Sequence, residues 1–188
     1  MEVLLSQYCG EDDIVTPIYP ASAHHRPRNY LADNGGREFY NHMPATKIQE
    51  LAPEAFGEFY KFCFERHPVD KCLSHFAMLL NNPFHQSDAN PKTWDEYIDR
   101  GDFPVDHALY TDDNEQLLVD KIYKYENLND ALVDISNKTG LSLNKLSYFE
   151  KSGLRYGVPS FSDVMGCSNQ VDIIIKKFET TLKFVSYF

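Results

Sequence analysis

Apolar positions recur along the chain in two periods, and the switch from one to the other marks its elements. Residues 2–8, EVLLSQY, pattern as the tail of an amphipathic helix, and Gly10 ends it. Residues 20–36 are rich in Pro, Gly, Asn and basic side chains and predict a long surface loop. A short extended piece ends at His42, and a helix follows over about Ala45–Leu51. Residues 58–65, EFYKFCFE, are aromatic and almost continuously apolar, the pattern of a strand buried on both faces. Pro68 then suits the first position of a helix written PVDKCLSHFAMLL. Residues 82–92 are polar and predict a loop, and TWDEYIDR predicts a short helix closed by Gly101. A second strand, VDKIYKY at 119–125, leads into a helix with Leu128, Leu132 and Ile135 on one face and Gly140 just past its end. A C-terminal helix over about 169–187 places Val171, Ile174, Ile175, Phe178, Leu182 and Val185 at helical spacing. Strand–helix–strand–helix order predicts an α/β protein, a three-layer sandwich around a mainly parallel sheet. No repeat or low-complexity tract interrupts residues 1–188, so the pattern reads as a single domain.

Composition narrows the function classes. Apolar residues make up 43% of the 188, enough for a folded core. The net charge of −10 argues against a nucleic-acid or anionic-membrane partner, because such binding depends on Lys and Arg neutralising phosphates. An anionic ligand therefore needs a local cluster of positive groups. Cys9, Cys63, Cys72 and Cys167 are scattered without a CxxC pair, which predicts reduced thiols and neither a disulfide framework nor a zinc site. No apolar run reaches the ~18–20 residues of a membrane span, and the first residues do not pattern as a signal peptide. The expectation is a cytoplasmic, soluble chain that needs no metal.

The stretch FCFERHPVDKCLSHF at 62–76 carries the candidate chemistry. A buried strand delivers Arg66 to the start of a helix that carries Ser74 about two turns in. Ligands of open α/β folds collect at such carboxyl ends of strands, and a guanidinium, a hydroxyl and a helix N-terminus together suit phosphate. The alternative is an arginine paired with Asp70 or Glu65, and spacing does not choose between the two. Glu65 itself departs from the apolar residue expected before the arginine.

The same stretch resembles the 3′-phosphate-binding segment of sulfotransferases, R-x-P-x-[DE]-[RK]-x-x-S, with Arg66, Pro68, Asp70, Lys71 and Ser74 in register. Upstream, FYNHMPATKI resembles the segment in which that family places a histidine base, with His42 and Pro44 in those places. Downstream, VDKIYKYENLNDALVDISNKTGL resembles the family's strand and helix with a Y-E-x-L turn. KSGLRYG at 151–157 resembles its basic, glycine-containing loop over the donor nucleotide. The likeness covers most of the chain and is nearest to the Golgi-type and bacterial carbohydrate branch, whose Golgi members are membrane-anchored.

The resemblance implies the P-loop-NTPase-like sulfotransferase fold. It also implies transfer of a sulfuryl group from 3′-phosphoadenosine 5′-phosphosulfate (PAPS) to an acceptor hydroxyl, on a carbohydrate in this branch. Arg66, Ser74, Lys151 and Arg155 would bind the donor, and His42 would be the base. Each has a plainer reading: His42 as a residue capping the next helix, Lys151 and Arg155 as a solvated basic loop. HHRPR at 24–28 could contact an anionic acceptor or a metal, and Trp94 and Tyr97 most simply pack their helix.

One family part has no counterpart in these residues. The P-K-[TV]-[AG]-[GC]-[ST]-[ST] loop, which holds the 5′-phosphosulfate, precedes the helix with which this sequence opens, and no other Gly-rich Lys-Ser/Thr loop occurs. The expectation is a chain N-terminally truncated relative to the family. An upstream start, a remnant that keeps only the 3′-phosphate half-site, or a loop supplied by another chain would each account for it. An unrelated α/β nucleotide-phosphate enzyme, such as a kinase, is the further alternative, and the lack of a lysine-bearing phosphate loop counts against it.

Overall fold

A computed structural model describes residues 1–19, 21–143 and 153–187. The fold mixes helix and strand, the coarse class that the apolar pattern predicts. The described residues hold one small sheet of two parallel strands, β1 (Phe62–Glu65) and β2 (Lys121–Lys124). The helices are α1 (Glu2–Leu5), α2 (Ala45–Leu51), α3 (Pro53–Glu58), α4 (Pro68–Asn81), α5 (Trp94–Arg100), α6 (Leu128–Thr139), α7 (Phe161–Met165), α8 (Ser168–Lys177) and α9 (Glu179–Phe184). None of them is long and apolar enough to cross a membrane. The residues divide into two compact units: one takes in Met1–Phe62, Ala108–Lys121 and the described part of 128–149, the other Cys63–His107, Ile122–Asn127 and the described part of 150–188.

The first unit is largely loops pinned by side chains. Arg28 pairs its backbone with Val15 and sends its guanidinium to the carbonyls of Cys9, Gly10 and Arg26. His25 is buried, with Nε2 2.7 Å from the Thr16 carbonyl oxygen and Nδ1 3.2 Å from Ser6 Oγ. Two hairpins, around the bridges Leu31–Arg37 and Thr111–Leu117, share one hydrogen-bond pattern. The amides of Ala32 and Asp112 donate to the carbonyls of Gly36 and Gln116, and those of Glu38 and Leu118 to Tyr30 and Tyr110. Both carry Asp-Asn at the turn, a local likeness too short to register as a sequence repeat. Lys61 and Asp120 join strand entry to strand entry: the Asp120 carboxylate accepts from the Lys61 amide at 2.7 Å, and the Lys61 ammonium lies 3.0 Å away.

The second unit holds the main apolar cluster. Val69, Cys72, Leu73 and Phe76 of α4 pack with Trp94, Tyr97 and Ile98 of α5, Val164 of α7, Val171 and Ile174 of α8, and Phe178. These α4 positions repeat at three and four residues, as a helix with one buried face requires. Trp94 and Tyr97 pack their helix down: their rings stack at 5.3 Å, and the Trp94 indole donates to Gln170 Oε1 at 2.9 Å.

The structure departs from the sequence pattern in several places. The stretch read as strand from 58 extends only from Phe62, because α3 runs to Glu58 and Phe59 is exposed. Within β1, Phe62, Cys63 and Phe64 are half-buried, so the strand is not sealed on both faces. The C-terminal helix is two helices, broken at Phe178, whose φ of −95° and ψ of 12° leave the helical range while its ring stays buried.

Candidate functional site

β1 and β2 run in parallel, so both carboxyl ends open on one edge, where Arg66-His67 and Tyr125-Glu126 leave the sheet. Pro68 starts α4 there, since its fixed φ fits the first turn and its missing N–H leaves nothing unsatisfied. The His67 amide donates to Glu126 Oε1 at 2.8 Å, which ties the two strand ends together. Arg66 lies over the Tyr125 ring, with Cζ 4.6 Å from its centroid.

Asp70, at the third position of α4, collects two guanidiniums. Arg66 Nε–H donates to its Oδ2. Arg155 donates from Nη1 to Oδ1 at 2.6 Å and from Nη2 to the Asp70 carbonyl at 2.9 Å. Burial alone would raise the Asp70 pKa, but the Arg155 hydrogen bond and the two cationic charges outweigh it and hold the group below its ordinary value. Ser74 is half-buried one turn further along α4 on the face of Asp70. The structure therefore brings Arg66, Arg155 and the Ser74 face together. The pairing of Arg66 with Asp70, one of the two readings the spacing allows, is present. Glu65 is not its partner.

Glu65 serves a second cluster behind the first. It is 1% exposed and accepts from Lys71 Nζ at 2.8 Å, and the same ammonium reaches Asp106 at 2.8 Å. Burial would lower the Lys71 pKa, but the two carboxylates raise it above its ordinary value. The Cys63 thiol nearby is pushed up to about 12, by burial first and the Glu65 charge second, which disfavours its thiolate. Cys72 is likewise pushed up to about 12 by burial.

His67 presents ring edges to Phe161 at 5.0 Å and Tyr187 at 5.4 Å, and burial lowers its pKa despite Glu126 and Asp70. Tyr187 closes this side; burial, then Glu126 and Glu65, raise its pKa. Lys124 lies over the Tyr187 ring at 4.9 Å and donates to the Ser186 carbonyl.

His42 belongs to the first unit, in the turn before α2. It is exposed and takes a left-handed backbone at φ 59°, which side-chain-bearing residues adopt uncommonly. It is not the cap of α2: that position is Pro44, and no side chain caps the helix. Lys151 lies outside the described residues. His25 and Arg28 of the HHRPR stretch hold loop backbone, as described above. Among the described residues, no group of three or more His, Cys, Asp or Glu could hold a metal. A concavity of about 490 Å³ lies elsewhere in the second unit, lined by Leu79, Leu80, Gln86, Ser87, Asp88, Asn90, Pro91 and Lys92, and none of the candidate residues lines it.

Three contributors escaped the sequence reading. Tyr125 was legible only as part of a Y-E-x-L turn, Glu126 carried no sign of an amide to accept, and Asp106 sits in a stretch without periodicity. Comparison with protein-family models, curated proteins and solved structures finds no match to this chain.

Proposed function

We propose that this chain is a sulfotransferase-type domain that grips the 3′-phosphate of PAPS at Arg66, Arg155 and Ser74 and transfers its sulfuryl group to a hydroxyl, on a carbohydrate acceptor. The observation that carries this reading is the placing of two guanidiniums, Arg66 and Arg155, at the first turn of α4; their pairing with Asp70 is what the ion-pair reading of Arg66 also expects, and the register of the segment favours the ligand site. Two guanidiniums at the first turn of a 14-residue helix, beyond the ends of parallel strands, form the local positive cluster that an anionic ligand needs on a protein of net charge −10. The sulfotransferase-like register of Arg66, Pro68, Asp70, Lys71 and Ser74 names the ligand class. The three-layer sandwich of that fold is part of the same proposal.

In the reaction, the acceptor oxygen forms a bond to sulfur as the bond from sulfur to the phosphate oxygen breaks. The acceptor proton passes to His42, and adenosine 3′,5′-bisphosphate leaves. A loose transition state of this kind is served mainly by positioning and charge. The residues present suit the 3′-phosphate end of the donor, and the sequence P-K-[TV]-[AG]-[GC]-[ST]-[ST], with which the family holds the phosphosulfate end, does not occur among the 188. A second reading is a binding module that keeps only the 3′-phosphate half-site and does not turn over.

Calorimetric titration with adenosine 3′,5′-bisphosphate tests both. Binding that weakens about 10–100-fold in Arg66→Ala, the range of one charge-assisted contact, supports them; no binding, or binding indifferent to that change, removes both. Sulfuryl transfer from labelled PAPS that is lost in His42→Ala separates the enzyme from the module.

A further inference from the structure

The Arg66 guanidinium is held on two sides. Its Nε–H is bonded to Asp70, and its face rests on the Tyr125 ring. An arginine carries five N–H donors, and the Asp70 bond uses one of them. Among the described residues the four on Nη1 and Nη2 have no partner. Arg155 differs: both of its Nη groups are committed to Asp70, one to the carboxylate and one to the carbonyl. Anchoring Nε and one face fixes the plane of a guanidinium and leaves the fork at its tip to a ligand.

We propose that Asp70 and Tyr125 are positioning residues that pre-orient Arg66 for the 3′-phosphate of a nucleotide. This rests on the reading of the site as a donor-binding site, and it goes further by naming what gives the arginine its geometry. An arginine on the surface samples many rotamers, and a ligand that must order it loses affinity by that amount. Here the ordering is built into the unliganded chain. Asp70 also has a contrary effect, because its negative charge repels an incoming phosphate. Two guanidiniums already face that one carboxylate and offset its charge, and with Glu126 held on the His67 amide beside them the site is close to balanced, so the ordering effect decides the sign. Removing the carboxylate therefore weakens binding.

The test is calorimetric titration of the full chain with adenosine 3′,5′-bisphosphate and, in parallel, with adenosine 5′-monophosphate. The wild type prefers the bisphosphate, and Arg66→Ala loses that preference. Asp70→Asn keeps the side-chain shape but turns an amide NH₂ toward one guanidinium. Tyr125→Leu removes the ring from a half-exposed position and leaves the fold intact, which a thermal melt verifies. Each weakens bisphosphate binding about 3–10-fold and hardly changes monophosphate binding, and neither adds to the loss already present in an Arg66→Ala background. Losses that persist in full in that background, or variants that bind the bisphosphate as well as the wild type, overturn the positioning role while leaving the donor-site reading standing. A wild type with no preference for the bisphosphate overturns the donor-site reading and this inference with it.

Discussion

Two ion clusters sit within a few residues of each other in sequence, and burial gives them different work. Asp70 with Arg66 and Arg155 is partly open to solvent, with 24% of the Arg66 side chain and 40% of the Arg155 side chain exposed. Pairs of that kind add little to stability, on the order of 0–1 kcal/mol, so their geometry matters more to a ligand than to the fold. Glu65 is the reverse case: its side chain is 0% exposed, and Lys71 is its partner. A carboxylate enclosed this fully is tolerable only while it is paired. Lys71→Ala removes the ammonium that faces this buried carboxylate and should destabilise the chain by up to roughly 3–5 kcal/mol in urea denaturation. Adding Glu65→Gln to Lys71→Ala should recover part of that loss, since the buried negative charge is then gone and Asp106 remains half-exposed to water. A Lys71→Ala variant within about 0.5 kcal/mol of wild type would show that Glu65 finds another partner or takes up a proton.

At the level of elements, helix ends marked by local chemistry are the features that sequence reports best. Gly101 closes α5 with φ 65°, and an added Cβ there would meet only the end of the Lys177 side chain at 3.7 Å. Space is therefore not the constraint, and the left-handed backbone is. Gly101→Ala should cost about 1 kcal/mol, read as a lower urea midpoint without change in slope. Pro68 at the head of α4 and Gly140 beyond α6 were legible for the same reason: each depends on one residue and its immediate neighbours. The α7 helix carried an equally local signal, Ser160 and Asp163 exchanging hydrogen bonds in a capping box, which the pattern reading passed over. The break at Phe178 was hidden because α9 resumes the apolar spacing and the ring stays buried, so periodicity runs on across a backbone that does not. Of the candidate site, Arg66 and Ser74 followed from a strand running into a helix. The meeting of Arg155 with Asp70 did not, because nothing local in either segment encodes a contact across 85 residues.

For the molecule as a whole, two effects of acidification oppose each other, and two half-buried histidines bear on which is seen. The chain carries a net charge of −10 and a pI near 5.1, so lowering the pH relieves self-repulsion and favours the compact state. His67 and His75 act the other way. Burial holds both below the ordinary histidine value of 6.5; Glu126 and Asp70 only partly offset it at His67, and Asp106 and Asp102 only partly at His75, where His85 adds to the lowering. His75 also keeps Nδ1 3.0 Å from the hydroxyl of Tyr97, a member of the apolar cluster. Since the unfolded chain binds these protons more readily than the folded one, stability rises with pH between the folded and unfolded pKa values. The contribution is fully present above about pH 6.5–7 and is lost as the pH falls through the unfolded value toward the depressed folded ones. The urea midpoint should therefore drop between about pH 7.5 and about pH 5.5, even though net charge shrinks over the same range. In the His67→Gln, His75→Gln double variant the drop should shrink, because the two imidazole contributions are gone while the relief of repulsion and the Met1 amine, which burial holds below its ordinary value, remain. A double variant that keeps the full wild-type slope would assign the pH dependence to carboxylates instead, and a wild type more stable at the acidic end would mean that self-repulsion outweighs both histidines.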